Sequence, residues 1–250
     1  MYVHVPLIVG EDGKKLSKRN GDASFADLIE KGYLPEAIVN YIALLGWSPG
    51  GEREIFSMKE LEEVFDYRNI SKSPAVFDLQ KLTWMNGEYI RSQTPEQFFA
   101  LAKPYLIEAI HKPEIDLRKV ANLLQSRTDM LPQVVELADF FEALPEYDIA
   151  IYTHKKMKTN PENSVVALEN MLLVLQRIAE DEWIQVNIHA AVMELVAKLE
   201  CKNGQVLWPL RTALTGKPVS PGGAFEVAEI LGKAESLRRI RVGIDMLKDV

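Results

Sequence analysis

One segment of the sequence concentrates groups able to handle phosphate: Gly10-Glu11-Asp12-Gly13-Lys14-Lys15-Leu16-Ser17-Lys18-Arg19-Asn20-Gly21. Gly10, Gly13 and Gly21 leave the backbone free. Lys15 and Lys18 can converge on a polyphosphate and neutralise the charge that builds on a leaving pyrophosphate. Ser17 can donate a further hydrogen bond. The same charge pattern also fits an exposed basic loop or a nuclear-localisation-like patch.

The other familiar chemistries lack their residues. No Gly-x-x-x-x-Gly-Lys-Ser/Thr loop, no Gly-x-Gly-x-x-Gly turn and no His-Glu-x-x-His pair occurs. Glu108 and His111 form one Glu-x-x-His, whereas a di-metal bundle needs that motif twice with further carboxylates, so no metal site is expected. Cys201, the single cysteine, permits neither an internal disulfide nor a structural zinc site. Pairing it with His189 as a nucleophile would need an orienting group that the sequence does not offer.

Composition bounds the class. The 250 residues carry 36 acidic and 29 basic side chains for a net charge of −7, with 47% hydrophobic residues, as in an ordinary chain with a real core. That balance argues against a general nucleic-acid coat but leaves room for local recognition of a polyanion by clustered cations. No apolar run approaches the ~20 residues that span a bilayer. With one cysteine and no secretory pattern at Met1-Tyr2-Val3-His4-Val5, a cytoplasmic protein is expected.

The elements that must position these groups are mostly helices. Tyr2 to Val9 reads as one strand, with Pro6 inside it and no second strand of similar quality. A lone strand leaves its ladder groups unpaired, so the segment is expected to pair with another chain or with strands upstream of Met1. Beyond Phe25, Ser57 with Glu60 and Thr94 with Gln97 form two capping boxes, and Asn160-Pro161 and Ser220-Pro221 mark further helix starts. Apolar residues recur at helical spacing in Ile38, Tyr41, Ile42 and Leu45, in Val134, Leu137, Ala138 and Phe141, and in Leu168, Met171, Leu172, Leu175 and Ile178. The spacing returns in Ile188, Val192, Leu195 and Leu199, and in Leu237, Ile240, Ile244 and Leu247. Gly32, Gly46, Gly204 and Gly232 stand where those patterns stop, as left-handed caps would.

Lys15-Leu16-Ser17-Lys18-Arg19 resembles the Lys-Met-Ser-Lys-Ser signature of class I aminoacyl-tRNA synthetases, in the form found in bacterial-type glutamyl-tRNA synthetases. The same family is resembled by Gly32-Tyr33-Leu34-Pro35-Glu36-Ala37, Asn40-Tyr41, and Leu44-Leu45-Gly46-Trp47-Ser48-Pro49. Ser71-Lys72-Ser73-Pro74-Ala75-Val76-Phe77-Asp78, Lys81-Leu82 and Trp84-Met85-Asn86 follow in order. Pro209-Leu210-Arg211, Ala213-Leu214-Thr215-Gly216, Ser220-Pro221-Gly222, Leu231-Gly232-Lys233 and Leu237-Arg238-Arg239 extend the resemblance to the C-terminal region. Little is similar between about 103 and 121.

The resemblance is to the C-terminal half of the family and implies a mainly α fold. A helical stem-contact domain would be followed by two α-helical anticodon-binding subdomains, with one leftover strand and loop of a truncated Rossmann-type catalytic domain at the N-terminus. The implied bounds are 1–21 for the end of the catalytic domain, 22–92 for the stem-contact domain, and 93–145 and 146–250 for the anticodon-binding subdomains. The implied reaction makes glutamyl-adenylate from glutamate and ATP, then transfers glutamate to tRNA(Glu). Lys15, Ser17 and Lys18 would serve catalysis, and Lys18, Lys15 and Arg19 would bind ATP. ATP and Mg2+ belong to the complete enzyme, and this segment, lacking the His-Ile-Gly-His signature, is expected to hold no cofactor and to be inactive alone.

By the same resemblance Arg127 would read the third anticodon base, and Arg211, Ser220, Pro221 and Gly223 would contact the anticodon loop. A surface ion pair is the other reading of Arg127. Arg238, Arg239 and Arg241 lie off the apolar stripe and read as a solvated face with structural pairing. Trp47, Trp84 and Trp208 read as core or domain-junction residues. Lys155, Lys156 and Lys158 are candidates for phosphate contact. A monomer with no membrane association is expected; the rival readings are a helical protein-interaction module and the trans-acting half of a split synthetase.

Overall fold

The computed structural model describes residues 5–10, 12–16 and 24–249. Among them eleven α-helices and one two-stranded sheet form two compact units, Met1–Tyr105 with Gln125–Val134, and Leu106–Leu124 with Val135–Val250.

In the first unit, β1 (Ile8–Val9) pairs in parallel with β2 (Ala75–Val76), Ile8 opposite Ala75 and Val9 opposite Val76. Ala75 N–H donates to Leu7 at 3.1 Å and Phe77 N–H to Val9 at 2.8 Å. This corrects the expectation that the N-terminal strand finds no partner within the chain. The partner escaped notice because a strand of two residues, set between Pro74 and the helix-capping Asp78, is too short to show a periodicity.

Four helices follow from local chemistry. Ser24 and Asp27 cap α1 (Phe25–Glu30) reciprocally, and Gly32, at φ +92°, turns the chain out of it. Pro35 opens α2 (Pro35–Leu44), where its missing N–H costs nothing. Ser57 and Glu60 form the expected box on α3 (Met58–Val64), and Asp78 caps α4 (Leu79–Ser92). Ile38 and Tyr41 of α2 meet Leu82 and Met85 of α4 in the core with Leu28 and Tyr33. Tyr41 and Tyr89 are phenols pushed up to about 12 chiefly by burial. Thr94 and Gln97 cap each other at the start of α5 (Pro95–Ala109), as their spacing implies.

The second unit packs α8 (Pro161–Leu175), α9 (Gln185–Lys198), α10 (Asn203–Thr215) and α11 (Ala224–Lys248) against one another, with α6 (Leu117–Leu124) against α11. Leu168, Met171, Leu175, Ile188, Val192, Leu210, Ala213, Leu214 and Ile240 are sealed from solvent. Gly232, at φ +77°, breaks α11 where the apolar pattern stops. Three expectations are corrected here. Gly204 lies in the first turn of α10, and Glu200 takes the positive φ after α9 instead. Gly46 follows α2 without a positive φ. Ser220-Pro221 does not open a helix, since α11 begins at Ala224 with Gly223 as its N-cap.

Candidate nucleic-acid interface

The basic segment starts from a tight turn. Gly10 N–H donates to Lys14 and Gly13 N–H to Gly10, both at 2.9 Å, and Gly13 takes φ +73°. The chain then returns along β1, Lys15 bridging antiparallel to Val9, so that Lys15 is exposed at a fixed place beside the sheet. Lys14 pairs with Asp12 at 3.2 Å and is thereby engaged. Ser17, Lys18 and Arg19 lie outside the described residues.

Arg127 ends a 3-10 turn, Gln125–Arg127, in the first unit. It is exposed and makes no ion pair among the described residues, so the surface-pair reading has no partner behind it. Its loop is held to α4 at three points. The Gln125 amide donates to the carbonyls of Ile90 at 3.0 Å and Gln93 at 2.8 Å, at the C-terminal end of the helix, where Ile90 also accepts from Gln93 N–H. Asn86 donates from its amide to the Asp129 carbonyl at 2.6 Å. Arg91 bonds the Asp129 carboxylate and Glu88, each at 2.8 Å. Within the loop, Gln133 Oε1 accepts from Asp129 and Met130 N–H at 3.0 and 3.1 Å. The backbone beside Arg127 is thus held in place before any base arrives, while the side chain itself is exposed.

In the second unit Arg211 and Ser220 are neighbours. Arg211 donates to the carbonyls of Lys217 at 3.1 Å and Pro218 at 2.9 Å and to Ser220 Oγ at 3.3 Å, and Ser220 Oγ donates onward to Gly222 at 3.1 Å. The guanidinium lies 4.3 Å from the Trp208 ring, whose other neighbour is His154 at 4.0 Å between centroids. Burial lowers the pKa of Arg211. Much of its hydrogen bonding is thus spent on bracing the 216–223 loop, while Gly223 stays exposed and Pro221 is buried. Lys217 holds the same loop from outside through the Glu136 carbonyl at 2.7 Å and Asp139 at 2.5 Å.

Two tryptophan and arginine expectations need correction. Trp84 is 46% exposed on α4 rather than in a core, whereas Trp47 is buried as expected. Arg239 is not on a solvated face: it is fully buried, pairs with Glu235 at 2.7 Å and donates to the Leu214 carbonyl at 2.6 Å. It is structural pairing, as expected, but inside the fold. A polar residue one step off an apolar stripe can still be covered by a third helix, which sequence periodicity does not show. Asn86 and Gln125 had no place among the candidates. The usable signal for Asn86 was an amide within the buried Leu82, Met85, Tyr89 and Ile90 face of α4.

An exposed arginine on an anchored polar loop and a second, arginine-braced loop on a helical scaffold are parts that suit reading splayed bases. Residues 97–244 match the family model described as "Anticodon binding domain", and residues 1–84 match that for "tRNA synthetases class I (E and Q), catalytic domain". The chain belongs to the anticodon-binding-domain family. It is 56% identical over 248 residues to the glutamate–tRNA ligase of Clostridium tetani, covering 99% of this chain and 50% of that relative. Identity to the ligase of Clostridium acetobutylicum is 54% over 99% of this chain and 51% of the relative. The crystal structure of a glutamate tRNA ligase from Elizabethkingia meningosepticum in complex with its amino acid superposes at TM-score 0.81, with 28% identity over 98% of this chain and 51% of that one. That from Elizabethkingia anophelis gives 0.79, with 26% identity over 97% and 50%. The chain thus spans about half the length of the relatives it matches, corresponding to their C-terminal half.

Proposed function

We propose that this chain is the tRNA-binding part of a glutamate–tRNA ligase: it reads the anticodon of tRNA(Glu) and carries the signature lysine loop of the adenylate-forming site. The single observation that carries the reading is Arg127, exposed and without an ion-pair partner among the described residues on a loop fixed by Gln125 and Asn86. A long cation without an ion-pair partner, rooted in an anchored loop, suits the edge of an unstacked base. Arg211, Ser220, Pro221 and Gly223 form the second contact, in which Arg211 fixes the loop and Gly223 and the open rim face the RNA.

Glutamate, and ATP as its magnesium complex, are substrates of the whole enzyme. Lys15 and Lys18, with Ser17 and Arg19, neutralise the departing pyrophosphate there. Electrostatic stabilisation works only at a preorganised distance, so these groups need the partner half that holds the nucleotide, and this chain alone is inactive. The four segments 1–21, 22–92, 93–145 and 146–250 keep their functional meaning in this reading. The chain acts as a monomer in the cytoplasm; no helix among the described residues is long and apolar enough to cross a membrane.

Titration of the chain against a tRNA(Glu) transcript, beside a tRNA of unrelated anticodon and across a salt series, tests this reading. Preferential binding of tRNA(Glu), with the logarithm of the affinity falling linearly in log salt, is expected. Equal binding of both transcripts at every salt concentration would overturn it.

A further inference from the structure

Asn86 is a fully buried side chain whose two polar ends serve different segments. Its Oδ1 accepts from Leu34 N–H at 2.7 Å, at the N-cap of α2, where no side chain of the helix itself provides a cap. Its Nδ2 donates to the Asp129 carbonyl at 2.6 Å, two residues after Arg127. Beside it, Gly32 at φ +92° packs against Pro132, so closely that a Cβ there would stand 2.3 Å from Pro132 Cδ. The Arg127 loop therefore belongs to the same compact unit as α2 and Lys15, whereas the Arg211 loop belongs to the other.

We propose that Asn86 is the positioning residue for third-base reading: it sets the Arg127 loop against the first turn of α2, so that the Arg127 side chain starts from a fixed place in the backbone. The proposal rests on the anticodon-reading function above. Buried amides with both ends satisfied are costly to replace and specify a single geometry, because any other residue leaves Leu34 N–H or Asp129 C=O without its partner. Gln125 and Arg91 anchor the two flanks of the loop to α4, whereas the Asn86 amide also bonds Leu34, outside that helix.

The experiment uses the full chain with Asn86→Ala and, as a variant of nearly the same volume, Asn86→Asp, which retains an acceptor for Leu34 but sets a carboxylate oxygen where the amide donated to Asp129. Two quantities are read: amide hydrogen exchange at Leu34, Asp129 and Met130, and the ratio of affinities for tRNA(Glu) and its third-anticodon-base variant. Both variants are expected to speed exchange at Asp129 and Met130. Asn86→Ala alone should also do so at Leu34. The affinity ratio should fall about tenfold, the size of one lost base contact, with no further fall when Asn86→Ala is added to Arg127→Ala. A role confined to stability would lower the melting temperature without moving that ratio. Unchanged exchange at Asp129 and Met130 in both folded variants, or an unchanged ratio, would overturn the proposal. If the wild-type chain shows no tRNA preference at all, the function proposed above fails, and the exchange arm still decides whether Asn86 positions the loop.

Discussion

A Cβ built on Gly87 would stand 2.1 Å from Asp129 Oδ1, so the carboxylate next to the Arg127 turn rests directly on the backbone of α4. Only a residue with no side chain leaves room for Asp129 and for Arg91, whose guanidinium would be met at 2.7 Å. Gly87→Ala would gain helix propensity of about 1 kcal/mol yet must displace both charged groups. We expect a net destabilisation of about 1–3 kcal/mol by urea melting, with loss of the Arg91–Asp129 pair. An unchanged or raised midpoint would show that the contact yields freely.

Gly32→Ala should cost more. The residue combines φ +92° with a Cβ position 2.3 Å from Pro132 Cδ, and a proline ring cannot rotate aside. Positive φ alone costs an L-residue of order 1 kcal/mol, and the overlap adds to it. The unfolding free energy should drop by about 2–4 kcal/mol, with faster amide exchange in the loop after Arg127.

The buried Arg239 offers a different kind of test. It supplies a donor to Leu214, one of the last carbonyls of α10, which has no intrahelical partner. Arg239→Ala leaves that carbonyl bare and Glu235 without one of its partners, and should cost about 3–5 kcal/mol. Arg239→Met fills the same space without a charge and should cost clearly less. Equal losses in the two melts would mean that the lost ion pair and the bond to Leu214, not packing, dominate the site.

Glu235 sets an acid-side window. Hydrogen bonds from Arg238, first, and then from Arg239 outweigh its desolvation and hold its carboxyl near about 2, against the ordinary 4.5. A depressed folded value means that this contribution is complete above about 4.5 and is lost as pH falls toward about 2. The stability difference between wild type and Glu235→Gln should therefore shrink over that range and stay level from pH 5 to 7. A difference that is flat down to pH 2 would contradict the pairing.

For the adenylate-forming step the expectation rests on the signature motif. In the complete enzyme, Lys18→Ala should slow glutamate-dependent pyrophosphate exchange by several powers of ten, with little change in tRNA affinity. Unaltered exchange would remove Lys18 from the reaction.

Much of the fold was legible because its signals are local. The Ser57 and Thr94 boxes, the proline after Asn160 and the stripes along α8 and α11 are written in neighbouring residues. What escaped is set by groups distant in the chain. β2 is recognisable only once β1 lies beside it, and Arg239 is buried by a helix 25 residues away. Ser220-Pro221 looks like a helix start, yet Arg211 draws the 217–220 carbonyls and hydroxyl inward and defers the helix to Ala224. In the candidate interface, Arg127 and Arg211 were found through motif resemblance, whereas Asn86 and Gln125, whose amides reach across 43 and 32–35 residues, have no sequence signature of their own.

The central claim is that Arg127 reads the third anticodon base. Its most direct test is equilibrium binding of the wild-type chain and Arg127→Ala to a tRNA(Glu) transcript and to its third-base variant. The account predicts that wild type prefers the cognate transcript by about tenfold or more and that Arg127→Ala binds the two alike. A preference that survives the substitution, or that wild type never shows, would contradict it.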